Sequence, residues 1–98
     1  MPRDDHQGRA PGPEALLGTV IELIAKTLDD RRLAIGPETA LFSSVKRFDS
    51  FMLVELVLRL EKAFGLSIPD EDLDRDAFGS PRAIAGYLER RLRSAASV

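Results

Sequence analysis

The chain has 98 residues, with 14 basic and 16 acidic side chains, one histidine and no cysteine; this length suits one domain with one modest core. The missing cysteines exclude a disulfide framework and a cysteine nucleophile, and the lone histidine excludes the usual zinc clusters. The net charge of −2 argues against a nucleic-acid-binding protein, and no apolar run approaches the roughly 20 residues of a membrane span. We therefore expect a small cytoplasmic domain, monomeric and without a metal site.

The amino terminus predicts a disordered tail over residues 1–12. This segment holds two glycines, two prolines and mixed charges, with almost no apolar side chains. Burial therefore cannot offset the entropy lost on ordering it. His6 lies in the tail, and we assign it no catalytic role.

A first helix is predicted from Pro13 to about Leu28. Proline suits the first helical position, and Glu14 suits the positive end of the helix dipole. Apolar residues recur at three- and four-residue spacing and form one stripe: Leu16, Val20, Leu23, Ile24 and Leu28. A long connection follows from about Leu33 to Phe48, and its apolar side chains are numerous enough to pack over a core.

The segment from Ser50 to Phe64 predicts the central helix of the domain. Its core-facing side consists of Leu53, Leu56, Val57, Leu60 and Phe64. The opposite side combines a charged stripe with flanking apolar residues: Phe51, Met52, Val54, Glu55, Leu58, Arg59 and Lys62. These apolar residues exceed what one small core needs. They either pack against loops or form a surface that receives a partner.

The remainder of the chain predicts one short and one long helix. Gly65 suits the left-handed cap that ends the central helix, and residues 70–73 suit a short helical turn. Ser80 and Pro81 are typical N-cap and first-turn residues of a last helix, and we expect residues 94–98 to fray. The pattern thus predicts three substantial helices, a short one and no strand.

Asp49 and Ser50 stand where the central helix begins, and local chemistry leaves their role open. Both residue types are favoured at a helix N-cap, so a structural role explains them without further function. A serine nucleophile would need a base and an oxyanion hole, and no predicted element contains a histidine. Alternatively, an exposed hydroxyl at a helix N-terminus can carry a phosphodiester that another enzyme installs. An adjacent carboxylate would then help to hold Mg²⁺ during the transfer.

The run from Asp49 to Asp72 resembles the heart of an acyl carrier protein. It contains an Asp-Ser-Phe attachment motif, a Val-Glu-Leu-Val pattern, a Phe-Gly helix end and an Ile-Pro-Asp-Glu stretch, all in ungapped register. The resemblance extends over residues 14–93. It implies an all-α four-helix bundle, here assigned to residues 13–93, with a long first loop and a short third helix.

The resemblance also implies a function for Ser50. This serine would carry 4′-phosphopantetheine, delivered from coenzyme A by a phosphopantetheinyl transferase, and Asp49 would match the acid that precedes it. The thiol of that arm would hold an acyl or aminoacyl group as a thioester for a loading enzyme and for downstream synthase or tailoring enzymes. The chain itself would have no catalytic residues. The face that meets these partners would comprise Phe51, Met52, Val54, Glu55, Leu58, Arg59 and Lys62.

Departures from the pattern of bacterial fatty acid carriers favour a discrete carrier of polyketide or nonribosomal-peptide type biosynthesis. Residues 45–48 stand where the family often has glycine, Met52 replaces an acid, and Arg59 and Lys62 interrupt the acidic face. A carrier of primary fatty acid synthesis and an unmodified helical adaptor remain the alternatives. Residues 49–76 still hold eight acidic against three basic side chains, and we expect this acidic part to be the face offered to enzymes.

Overall fold

The computed structural model describes residues 12–30 and 34–96, and these residues form four α-helices and one 3₁₀ turn. The elements are α1 (Pro13–Leu28), α2 (Leu41–Ser44), α3 (Ser50–Phe64), the 3₁₀ turn (Asp70–Asp72) and α4 (Pro81–Ala96). No strand occurs in this part of the chain, and the all-α prediction is confirmed. The tail predicted over residues 1–12, including His6, lies outside the described residues except for Gly12.

The helix ends follow the capping signals of the sequence. Pro13 begins α1, and Asp29 ends it in the left-handed conformation with φ of 55°, which Asp tolerates better than most residues. Gly65 ends α3 with φ of 65°, where a side chain would strain the backbone. The Ser80 hydroxyl accepts a hydrogen bond from the Ala83 N–H at 3.1 Å at the start of α4. Helix α4 includes residues 94–96, and residues 97–98 lie outside the described residues. The fraying expected over 94–98 stays a prediction.

The long first connection contains a helical turn that the sequence pattern did not predict. With four residues, α2 is too short to show a 3.6-residue period. The connection covers the core as predicted, and its buried residues are Leu41, Val45 and Phe48. It is joined to the start of α4 by the Leu41 N–H, which donates to the Gly79 carbonyl at 2.8 Å, and by the Arg82 N–H, which donates to Pro37 at 2.9 Å.

The core lies where α1 packs against both α3 and α4. Its fully buried apolar side chains come from all four helices and from the segment before α4: Leu16, Val20, Ile24, Leu28, Leu41, Leu56, Leu60, Phe78, Ile84 and Leu88. Each such side chain contributes about 1.5–3 kcal/mol by leaving water. The stripes predicted for α1 and α3 are confirmed at these positions, whereas Leu23 and Phe64 are only half-buried.

Candidate functional site

Asp49 is the N-cap of α3, and Ser50 is the first residue of the helix. The Asp49 backbone is extended, and its Oδ1 accepts a hydrogen bond from the Met52 N–H at 3.0 Å. The Asp49 carbonyl accepts the first helical hydrogen bond, from the Leu53 N–H at 2.9 Å. The cap interpretation is thus confirmed for Asp49, and the capping role does not fall on Ser50.

The Ser50 hydroxyl is left free for another use. Ser50 is exposed, and within the described residues its hydroxyl makes no hydrogen bond. The first N–H groups of a helix lack intrahelical partners, and the helix dipole is positive at this end. Asp49 satisfies only the N–H of Met52, so the N–H groups of Ser50 and Phe51 stay available. An exposed hydroxyl beside free N–H groups fits the attachment of a phosphate ester.

The segment that leads into Ser50 is anchored to the rest of the domain. The Arg47 guanidinium donates a hydrogen bond to the Leu28 carbonyl, and it lies 4.0 Å from the Asp30 carboxylate. The Phe48 side chain is 3% exposed and packs edge-on against Phe42, with ring centroids 5.1 Å apart. Two adjacent anchors therefore fix where α3 begins. The sequence marked residues 45–48 for their apolar side chains and for lacking a glycine, and no local signal marks a contact with α1.

The outer face of α3 is apolar along its centre. Phe51, Val54 and Leu58 are 65%, 49% and 55% exposed, so about half or more of each side chain is open to solvent. Arg59 and Lys62 are exposed too. The remaining residues expected at a partner surface, Met52 and Glu55, are half-buried. All seven thus lie on one helix directly after Ser50, with Met52 and Glu55 the least accessible.

Half of the carboxylates of residues 49–76 have a structural role within the fold. Four of the eight accept hydrogen bonds from the chain itself: Asp49, Glu61, Asp72 and Asp74. Glu61, for example, accepts from the Ile68 N–H at 2.7 Å. The outer face of α3 carries one half-buried acid and two exposed cations, so most acids of this part lie elsewhere than on that face. That the acidic part is offered to enzymes stays a prediction.

A hydrogen-bonded cluster holds the 3₁₀ turn against α4. The Tyr87 hydroxyl donates to Asp72 Oδ2 at 2.6 Å and accepts from Arg91 Nη1 at 2.6 Å. Arg91 Nη2 also donates to the Ser67 carbonyl at 2.7 Å. Burial raises the pKa of the Tyr87 hydroxyl, and the hydrogen bond to Asp72 raises that pKa further. The cluster fixes the connection that follows α3.

The described residues contain no group of three His, Cys, Asp or Glu side chains that could hold a metal ion. None of the described helices is long and apolar enough to cross a membrane.

The chain is similar to known carrier proteins over most of its length. The family model described as "Phosphopantetheine attachment site" matches residues 18–88. A D-alanyl carrier protein of Bacillus pumilus is 35% identical over 69 residues, which cover 70% of this chain and 87% of that protein. A D-alanyl carrier protein of Bacillus subtilis is 30% identical over the same coverage. An acyl carrier protein of Rubrobacter xylanophilus is 39% identical over 62 residues, covering 63% of this chain and 75% of that protein.

These matches confirm the resemblance that the motif between residues 49 and 72 suggested. The family match covers more than half of the chain and includes α3 with the residues before it. Carrier proteins of this kind hold covalently attached 4′-phosphopantetheine and are generally not catalysts themselves. The chain belongs to the phosphopantetheine-binding carrier protein family.

Proposed function

We propose that Ser50 is the attachment site of 4′-phosphopantetheine and that the chain carries acyl or aminoacyl groups between enzymes. The observation that carries this proposal is the exposed Ser50 hydroxyl, which is free of structural hydrogen bonds at a capped helix start. When attached, the arm supplies a thiol that holds the cargo as a thioester. The chain supplies no thiol of its own, because it contains no cysteine.

The residues around Ser50 prepare it for modification. The cap at Asp49 fixes the first turn of α3, and the free N–H groups of Ser50 and Phe51 face the incoming phosphate. The Asp49 carboxylate accepts one hydrogen bond through Oδ1, which leaves its other oxygen for a Mg²⁺ ion that accompanies coenzyme A. Arg47 and Phe48 keep the helix start in place.

Intact mass after incubation with coenzyme A, Mg²⁺ and a broad-specificity phosphopantetheinyl transferase tests the site. The wild-type chain should gain one phosphopantetheine, and Ser50→Ala should gain none. Ser43→Ala is the matched control, because Ser43 is also an exposed serine in a helix, and it should be modified like the wild type. An unmodified wild type would favour an adaptor role, and a modified Ser50→Ala would move the site elsewhere.

The outer face of α3 is proposed as the surface that meets the transferase, the loading enzyme and the downstream synthase or tailoring enzymes. Its three exposed apolar side chains begin immediately after Ser50, so an enzyme bound there would lie beside the arm. The proposed residues are Phe51, Met52, Val54, Glu55, Leu58, Arg59 and Lys62. We propose that a monomer performs this role in the cytoplasm.

The cargo is proposed to belong to specialised biosynthesis of polyketide or nonribosomal-peptide type. The two cations on α3 support this, since they depart from the acidic face of a primary fatty acid carrier. The similarity to two D-alanyl carrier proteins supports an aminoacyl cargo within that class. Loading assays with the enzymes encoded beside the gene test it. Transfer from an aminoacyl-adenylating enzyme would support an aminoacyl cargo, and exclusive loading with malonyl groups for fatty acid synthesis would contradict it.

A further inference from the structure

Side chains on the outward side of α3 form one surface, which we call the α3 face. It comprises five exposed residues and the half-buried Glu55: Phe51, Val54, Glu55, Leu58, Arg59 and Lys62. At 3.6 residues per turn they fall within an arc of about 140°. The apolar members run from the first turn of the helix to just past its middle, at positions 51, 54 and 58, and the two cations follow at 59 and 62. The α3 face is therefore apolar near Ser50 and basic farther along.

The basic end is not neutralised within the fold. No ion pair of the described residues involves Arg59 or Lys62. The nearby acid on the same helix, Glu61, accepts a hydrogen bond from the Ile68 N–H and so serves the connection after α3. Glu55, the single acid of the face, is half-buried. A partner that covers this face must therefore supply negative charge from its own surface.

We propose that the α3 face binds a partner enzyme whose contact surface is an apolar recess bordered by Asp or Glu side chains. The proposal rests on the proposed carrier function and specifies the chemistry of its partner. The exposed phenyl, isopropyl and isobutyl groups would fill the recess, and the carboxylates would pair with Arg59 and Lys62. Interface cations that lose water without gaining a partner charge weaken binding, and like charges across an interface select against a partner. A basic partner surface is therefore disfavoured.

An anionic membrane offers the same combination of apolar and negative groups, but the charge of the chain argues against it. The face provides two cations, whereas the whole chain has a net charge of −2. The 3₁₀ turn that follows α3 adds three consecutive acids, Asp70–Asp72. Peripheral membrane binding usually draws on a larger cluster of cations, so a protein surface is the occupant that the charges favour.

Two synthetic helical peptides provide the test. They share one leucine- and phenylalanine-rich face, and their flanking residues are glutamates in one and lysines in the other. Each is titrated into the ¹⁵N-labelled chain at low salt, and the amide signals locate the contact. The glutamate peptide should shift signals of residues 51–62 and bind at least about fivefold more tightly than the lysine peptide. Added salt should reduce that preference.

Charge variants decide whether Arg59 and Lys62 cause the preference. The double variant Arg59→Glu with Lys62→Glu should reverse it, whereas Lys26→Glu with Arg90→Glu makes the same change in net charge on other helices and should preserve it. Equal binding of both peptides, a lysine-peptide preference, or no contact with residues 51–62 would overturn the proposal. Binding to phosphatidylglycerol vesicles in preference to both peptides would overturn it in favour of a membrane. The peptide assay needs no attached arm, and a separate mass measurement of Ser50 modification tests the carrier function independently.

Discussion

The Arg47 guanidinium donates a hydrogen bond to the backbone carbonyl of Leu28, 19 positions earlier in the chain. Leu28 is the last residue of α1 and is fully buried, so the acceptor is held in place by the core. A cation at the carboxyl end of a helix is also favoured by the helix dipole. The contact links the end of α1 to the segment from which Ser50 projects.

Arg47→Ala should weaken this link and loosen the start of α3. We expect a loss of about 0.5–1.5 kcal/mol in the free energy of unfolding, as for one hydrogen bond. Transferase modification of Ser50 should slow by about two- to tenfold, since the hydroxyl would sample more positions. Denaturant unfolding and mass time courses measure the two effects. Arg82→Ala, which removes an exposed ion pair with Glu38, is the control; equal slowing in both variants would contradict a specific role for Arg47.

Substitutions at Asp49 can separate its structural role as the cap of α3 from its proposed chemical role in holding Mg²⁺. Asp49→Ala should cost about 0.5–2 kcal/mol of stability, because the Met52 N–H loses its partner. Asp49→Asn keeps a capping oxygen and should retain most of that stability, yet it loses the charge that would hold Mg²⁺. Thermal unfolding and modification rates, measured for both variants, distinguish the two roles. If Asp49→Asn were modified at the wild-type rate, the carboxylate would have no part in the transfer.

Leu56 and Leu58 are two residues apart on α3 and should behave in opposite ways. Leu56 is fully buried and Leu58 is 55% exposed. Leu56→Ala should cost about 2–5 kcal/mol of stability, whereas Leu58→Ala should change it by less than about 0.5 kcal/mol. Loading by the partner enzyme should fall for Leu58→Glu with helicity intact by circular dichroism. Unchanged loading of Leu58→Glu would remove this residue from the interface.

Tyr87→Phe should loosen the connection after α3. The substitution leaves Asp72 and Arg91 without the hydroxyl that joins them, and we expect a loss of about 1–3 kcal/mol. Hydrogen exchange should speed up at the amides of the 3₁₀ turn more than in the centre of α1. Uniform acceleration over all helices would show that Tyr87 supports the whole core instead.

The raised pKa of Tyr87 predicts how stability changes in alkali. Because the folded chain holds the proton more tightly than the unfolded chain, the hydroxyl stabilises the fold fully below its unfolded pKa of about 10. That contribution is lost as pH rises through the higher pKa of the folded state. Tyr87 is the only tyrosine, so its phenolate absorbance reports the titration directly. Tyr87→Phe should lack the part of the alkaline stability loss that follows this absorbance.

The sequence could predict α3 and its ends because each signal is local: Asp49 caps the start, Gly65 ends the helix and the leucine spacing shows the buried side. It could not predict α2, because four residues are too few to show the periodicity of a helix. The contact between Arg47 and Leu28 was also invisible, since it joins residues brought together only by the fold. Composition predicted an acidic partner face, but it does not show which carboxylates are already bound. Glu61 and Asp72 illustrate this, because both accept hydrogen bonds inside the domain.

Asp49 caps α3 and Ser50 does not, and this difference bears on how modification of Ser50 affects folding. Because Asp49 alone makes the side-chain cap, esterification of Ser50 would remove no bond that the helix needs. Unmodified and modified chains should therefore share one fold and nearly one melting temperature. A newly made chain should therefore fold before its prosthetic group is attached. An enzyme that hydrolyses the ester should likewise release a folded domain that can be modified again.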